Sequence, residues 1–194
     1  MRYTGRKGLA ALLIVAVLAG LGIADRRGWF GRTEEPDFAK YDGKSFLVPH
    51  VSDGDTLDVD VPDGTHQHTR IRLWGVDTPE TVKPNTPVQH FGPEASAFTK
   101  KVAMGQAVRL ELNPVHTRDK YGRLLAYVYL PDGRMLNRVL VEEGYGYADP
   151  RFEHKYKAEF HRLQNDAKAA RRGLWKDIKP SDLPDYYSDM KLPK

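Results

Sequence analysis

From Ser45 onward the chain falls into short runs in which apolar and polar side chains alternate. Phe46-Leu47-Val48 and Val51 predict a first strand that reaches the turn Ser52-Asp53-Gly54. Thr56-Leu57-Asp58-Val59-Asp60-Val61 alternates strictly, as a strand with one buried face does, and Pro62-Asp63-Gly64 turns it back. Thr69 to Trp74 alternates again, with Arg70 and Arg72 on one face and Ile71 and Leu73 on the other. Val108 to Leu112 and Leu124 to Leu130 predict a fourth and a fifth strand. Elsewhere the period lengthens. Pro93-Glu94 opens a helix with proline in its first turn, Ala95, Phe98 and Val102 fall on one side, and Gly105 closes it. A short helix covers Met135 to Glu143 and stops at Gly144. The last runs from Phe152 to Arg172, where Tyr156, Phe160, Leu163, Ala167 and Ala170 form one apolar stripe and Gly173 is the expected C-terminal cap. Five short strands and three helices predict an α+β domain built on a five-stranded OB-type barrel.

The ends read differently. Gly8 to Ala24 is an uncharged stretch of 17 residues preceded by Arg2, Arg6 and Lys7. It predicts an export signal or a membrane anchor, since about 17–25 residues are needed to span a bilayer. Gly22-Ile23-Ala24 can serve as a cleavage site and Asp25-Arg26-Arg27 follow directly, so cleavage and retention both stay open. The chain therefore divides into residues 1–24 as signal or anchor, 25–43 as a linker with Gly28, Gly31, Pro36 and Gly43, 44–176 as the domain, and 177–194 as a flexible tail. The expected location is the outer face of a membrane, held through residues 8–24, or the extracellular medium.

Composition narrows the chemistry. The whole chain carries 30 basic against 26 acidic residues, but removing residues 1–24 leaves 27 against 26, so binding to an anion must come from a local basic face. The absence of cysteine excludes disulfides, thiolate metal sites and a cysteine nucleophile.

Three motifs lie within 71 residues: Asp53-Gly54-Asp55-Thr56, Arg72 through Asp77-Thr78-Pro79-Glu80, and Asp119-Lys120-Tyr121-Gly122-Arg123. Taken singly each is weak, because Asp-Gly is a common turn dipeptide and Asp-x-x-Glu is also a helix cap. Together they supply the carboxylates Asp55, Asp77 and Glu80 and the arginines Arg72 and Arg123. Metal-assisted hydrolysis of a phosphodiester needs such a set. Carboxylates hold a hard cation with positions left for water and a substrate oxygen, arginine forks grip phosphate, and one acid remains to handle a water. Lys120 offers a further cation and Tyr121 a ring on which a base can stack. The seven histidines are scattered, which makes zinc a poor fit.

The strings DGDT, GVDTPET, FGPEASAFTKK and DKYGRLLAYVY stand in this order, and with them residues 45–175 resemble the staphylococcal nuclease (thermonuclease) family. The resemblance implies an OB-fold barrel with three helices and a monomeric, calcium-dependent nuclease. Its substrate would be single-stranded or melted DNA and RNA, cut at the 5′ P–O bond to leave 3′-phosphate ends. Carried over by position, Asp55 and Asp77 would ligate Ca2+ with the Thr78 carbonyl. Glu80 would position or deprotonate the attacking water, Arg72 and Arg123 would bind the phosphate, and Lys120 and Tyr121 would hold the terminal phosphate or base. The chain departs from the family at Asn85 and Thr86, where lysines draw in substrate. It departs again at Pro150 and Phe152, where the family has two tyrosines, with Tyr145 and Tyr147 nearby. A binding module without turnover would be expected to have lost Asp77, Glu80 or an arginine, and all are present.

Overall fold

The computed structural model describes residues 37–81, 87–113 and 115–187. The apolar stretch read as a signal or anchor, residues 25–36 of the expected linker, and Asn85 and Thr86 lie outside the described residues. Helix α1 (Asp37–Tyr41) leads into β1 (Ser45–Leu47), β2 (His50–Asp53), β3 (Thr56–Val59), β4 (Thr69–Leu73) and a short β5 (Val76–Asp77). Helix α2 (Gly92–Ala103) precedes β6 (Ala107–Leu112) and β7 (Leu124–Tyr129). Then come α3 (Leu136–Glu142), β8 (Tyr147–Ala148), α4 (Lys157–Ala169) and three short 3-10 segments, Gly173–Lys176, Pro180–Asp182 and Asp185–Tyr187.

Six strands form one mixed sheet in the order β1-β6-β7-β4-β3-β2, and β4 against β7 is its parallel pair. The two edge strands, β1 and β2, are successive pieces of chain separated only by Val48 and Pro49. β5 and β8 pair separately, with Val76 opposite Ala148. The core lies between the sheet and the helices: Leu57, Ile71, Val108, Leu110, Leu124 and Val128 from strands meet Leu136, Leu140 and Phe160 from helices, all fully buried. Asn137 is buried among them and ties three backbones together. Its amide donates to the Trp74 carbonyl at 3.0 Å and the Ala126 carbonyl at 3.2 Å, and its oxygen accepts from the Val128 N–H at 2.9 Å.

β4 follows the alternation, with Thr69, Ile71 and Leu73 buried and Arg70 exposed. β3 does not, because Thr56 and Asp58 are buried too. Arg70 lies over Asp58 (Nε to Oδ1, 2.9 Å), and the site described below covers Thr56.

Three expectations are corrected. Residues 37–43, expected in the linker, are packed on the domain: Tyr41 is fully buried with its hydroxyl 2.8 Å from that of Thr69, and Asp37 pairs with Arg118 at 2.8 Å. The last helix ends at Ala169, and the left-handed residue after it is Arg171 (φ 52°). Gly173 is left-handed as well (φ 52°), and a Cβ there would run into the carbonyls of Glu143 and Gly144. Residues 177–187 are folded rather than free. Tyr187 is buried with Tyr147, Ala167, Leu174 and Trp175, and its hydroxyl bonds to the Ala148 carbonyl at 3.2 Å and to Gln164.

Candidate active site

The antiparallel register of β3 on β4 sets Thr56 opposite Arg72, which brings the arginine beside the turn that joins β2 to β3. The Arg72 guanidinium lies between two carboxylates, one nitrogen on Asp55 and another on Asp77, with 12% of its side chain exposed. Asp55 also accepts the Thr78 N–H at 2.9 Å and the Thr56 hydroxyl at 2.9 Å. Asp53 has a different task. It accepts the Gly54 N–H at 2.8 Å, the Thr81 hydroxyl at 2.8 Å and the Thr81 N–H at 3.2 Å, so it fastens the turn to the loop after β5. That approach needs glycine at position 54, where a Cβ would lie 2.6 Å from Thr78 Oγ1. From α2 the Thr99 hydroxyl donates to the Gly54 carbonyl at 2.6 Å. Glu80 is held by its backbone: its N–H donates to Gln89 Oε1 at 2.8 Å and its carbonyl accepts the Gln89 N–H at 3.0 Å. Among the described residues its carboxylate has no hydrogen-bond donor.

The charges here are not balanced. Burial raises the pKa of Glu80, and Asp55, Asp53 and Asp77 add to the rise. Burial also raises Asp55, against the pull of Arg72. Burial works against the Arg72 charge, but Asp55, Asp77 and Asp149 outweigh it and raise its pKa. Five carboxylates, Asp53, Asp55, Asp77, Glu80 and Asp149, stand against two arginines, Arg72 and Arg151, which leaves an excess of negative charge and hard oxygen donors, a set that fits a divalent cation such as calcium or magnesium. The buried Thr78 Oγ1 in the same place has no hydrogen-bond partner. Among the described residues no three Asp, Glu or His side chains converge into a closed cage. A cation here would be held by Asp55 and Asp77, with the Thr78 carbonyl and waters completing its shell.

Residues 70–177 match the family model described as "Staphylococcal nuclease homologue". The chain is 48% identical over 136 residues to a thermonuclease of Staphylococcus intermedius, covering 69% of this chain and 77% of that protein. It is 45% identical over 133 residues to a thermonuclease of Staphylococcus hyicus, covering 68% and 76%. It is 39% identical over 125 residues to Endonuclease YncB of Bacillus subtilis, covering 63% and 57%. The chain belongs to the staphylococcal nuclease family.

Not every expected residue of this staphylococcal nuclease homologue is gathered at the carboxylates. Asp55, Arg72, Asp77, Thr78 and Glu80 are together. Arg123 instead holds Asp119, with Nε and Nη2 each 2.7 Å from Oδ2, and lies 5.5 Å from the Tyr121 ring centre. Lys120 sits 5.0 Å from the same ring. Lys120 and Tyr121 are exposed and Arg123 is half-buried, in the loop that leads into β7, whose Leu124 pairs with Ile71 on β4. Of the candidate stacking rings, Tyr147 is buried and Tyr145 is stacked on Phe98 at 4.3 Å. Phe152 is 46% exposed, 5.1 Å from Trp74 and 5.8 Å from the Arg151 guanidinium. Two residues beside Asp77 carried no signal in the sequence. Arg151 lies 3.3 Å from Asp77 Oδ2 and is held by Asp149 at 2.7 Å, while the Tyr186 hydroxyl donates to Asp77 Oδ2 at 2.5 Å. Each belongs to a segment without periodicity, and their neighbour is more than 70 residues away in sequence.

Proposed function

We propose that the chain is a calcium-dependent nuclease that hydrolyses DNA and RNA with low sequence specificity and leaves 3′-phosphate ends. Family membership makes it a nuclease hydrolase. The observation that carries the finer reading is the Asp55–Arg72–Asp77 bridge with the Glu80 carboxylate beside it, undonated among the described residues and surrounded by negative charge. A bound cation would polarise a phosphoryl oxygen and offset the negative charge of the reacting group. Glu80 takes the proton of a water aligned with phosphorus. Arg72 donates to the phosphoryl oxygens where charge grows, an interaction whose loss costs about 3–4 kcal/mol in comparable sites. The P–O5′ bond breaks, the leaving 5′-oxygen takes a proton from solvent water, and the phosphate stays on the 3′ side. Arg123 joins by releasing Asp119, a partly exposed pair worth about 1 kcal/mol or less. Lys120, Tyr121 and the exposed Phe152 ring supply sequence-tolerant contacts to backbone and base. Recognition through phosphate rather than base edges accounts for low specificity.

Two broader readings accompany this one. The sheet is taken to close into a five-stranded OB barrel, with β1 and β2 as one bent strand. Support comes from the two residues that separate the sheet edges and from the parallel β4–β7 pair. Export, with the chain secreted or anchored on the outer face, is supported by the uncharged Gly8–Ala24 stretch behind Arg2, Arg6 and Lys7.

The test is digestion of single-stranded DNA by the full-length chain with calcium and with chelator, alongside Glu80→Gln and Arg123→Ala. Calcium-dependent cutting that falls by about 10²–10³ in each variant is expected. No cutting with calcium, together with salt-sensitive DNA binding, would make the chain a binding module.

A further inference from the structure

The outer oxygen of Asp77 faces a part of the chain that the nuclease reading does not use. Asp77 Oδ1 is taken by Arg72, and Oδ2 accepts the Tyr186 hydroxyl at 2.5 Å, within the range of a charge-assisted O–H···O⁻ bond. Arg151 Nη2 lies 3.3 Å from the same oxygen. Tyr186 is not a loose side chain that happens to reach in. Its ring lies against the Arg151 guanidinium, 4.2 Å from ring centre to Cζ, and Arg151 is itself fixed by two bonds to the buried Asp149, Nε to Oδ1 at 2.8 Å and Nη2 to Oδ2 at 2.7 Å. The next residue, Tyr187, is fully buried and bonded to the Ala148 carbonyl and to Gln164. Ala148 is on β8, whose partner strand β5 carries Asp77. One buried tyrosine thus anchors the strap to the two-stranded sheet, and its neighbour reaches the carboxylate at that sheet's end.

We propose that Tyr186 is a positioning residue of the metal site, which holds Asp77 Oδ2 through its hydroxyl and so keeps Oδ1 on the Arg72 guanidinium that it shares with Asp55, where a cation held by the two acids would bind. The proposal rests on the reading of Asp77 as a ligand. Partners that orient a ligating group typically change metal affinity or activity by about 10–100-fold when removed. Tyr186→Phe keeps the ring on Arg151 and removes only the donor, so folding is preserved. Tyr187→Phe removes a hydroxyl from the same strap without touching Asp77, and so reports anchoring alone.

The experiment is calorimetric titration of calcium into the full-length chain and the two variants, with thermal unfolding in chelator as the check on folding. Tyr186→Phe is expected to weaken calcium binding about 10-fold, with an unfolding temperature in chelator close to that of the parent. Tyr187→Phe is expected to lower the unfolding temperature and leave calcium affinity unchanged. Unchanged calcium affinity in Tyr186→Phe would overturn the proposal. So would tighter binding, which would make the tyrosine a cap that competes with the cation. Equal weakening in both variants would reduce the effect to anchoring of the strap and overturn it as well. Absence of calcium binding in the parent chain is a different failure: it would remove Asp77 as a ligand and overturn the nuclease reading's metal site with it.

Discussion

Replacing Arg72 with leucine removes the one positive charge placed between Asp55 and Asp77. Breaking one side of a buried ion pair costs about 3–5 kcal/mol, because the remaining charge stays out of water. Here the loss belongs near the lower end. Asp55 keeps the Thr78 N–H and the Thr56 hydroxyl, and Asp77 keeps Tyr186 and Arg151. A loss of about 3 kcal/mol corresponds to roughly 6–12 °C in unfolding temperature for a unit of this size. The assay is thermal or urea unfolding of the full-length chain followed by tryptophan fluorescence, run in chelator and again in calcium. In calcium the deficit should shrink, because the cation binds the folded state and restores positive charge between the same carboxylates. Removing a repelling carboxylate as well, in Arg72→Leu with Asp77→Asn, should recover about 1–2 kcal/mol in chelator. A loss under about 1 kcal/mol in chelator would refute the bridge as a stabilising pair. Equal losses in chelator and in calcium would refute a cation site between these two acids.

Three further outcomes follow from other parts of the molecule. Burial first, and then Lys157, press the His154 imidazole from 6.5 down to about 4. A histidine kept neutral when folded gives stability that is complete above pH 6.5 and declines as pH falls toward 4, by about 1–2 kcal/mol once partial exposure is allowed for. His154→Gln should flatten that slope in urea midpoints, and an unchanged slope would count against it. Gly54→Ala forces a Cβ onto Thr78 and should lower stability by about 1–3 kcal/mol while raising the calcium concentration needed for cutting. A midpoint within about 0.5 kcal/mol of the parent would mean the two loops part freely. Asn137→Ala strands the Val128 N–H and the Trp74 carbonyl inside the core, so a loss of about 2–4 kcal/mol is expected, and under 1 kcal/mol would mean water replaces the amide.

What the sequence made legible is local. Alternation in Thr69 to Leu73 put Ile71 and Leu73 inside and Arg72 on the opposite face, as found. The motif residues Asp55, Asp77, Thr78 and Glu80 do meet. The separate task of Asp53 could not be read, because its partner Thr81 lies 28 residues away and is chosen by the tertiary packing. The pairing of β5 with β8 uses two residues on each side, too few for any periodicity. Tyr41 and Tyr187 sit in polar surroundings that resemble linker and tail, yet each ring is fully buried and, with the Asp37–Arg118 pair and the Tyr186–Asp77 bond, holds its segment on the domain. Arg123 shows the reverse limit: its motif was clear, but the spacing gave no hint that Asp119, four residues earlier, would hold it.

The bond from Tyr186 to Asp77 closes a loop of 109 residues. At about 5–20 residues per second, synthesis separates the two by roughly 5–20 s. During that interval the chain already contains Asp55, Arg72, Asp77 and Glu80 but lacks the strap that holds the far side of the second aspartate. Completion of the site therefore keeps time with completion of the fold. A chain halted between Glu80 and Tyr186 would carry Asp55, Asp77 and Glu80 with the outer oxygen of Asp77 still free to turn.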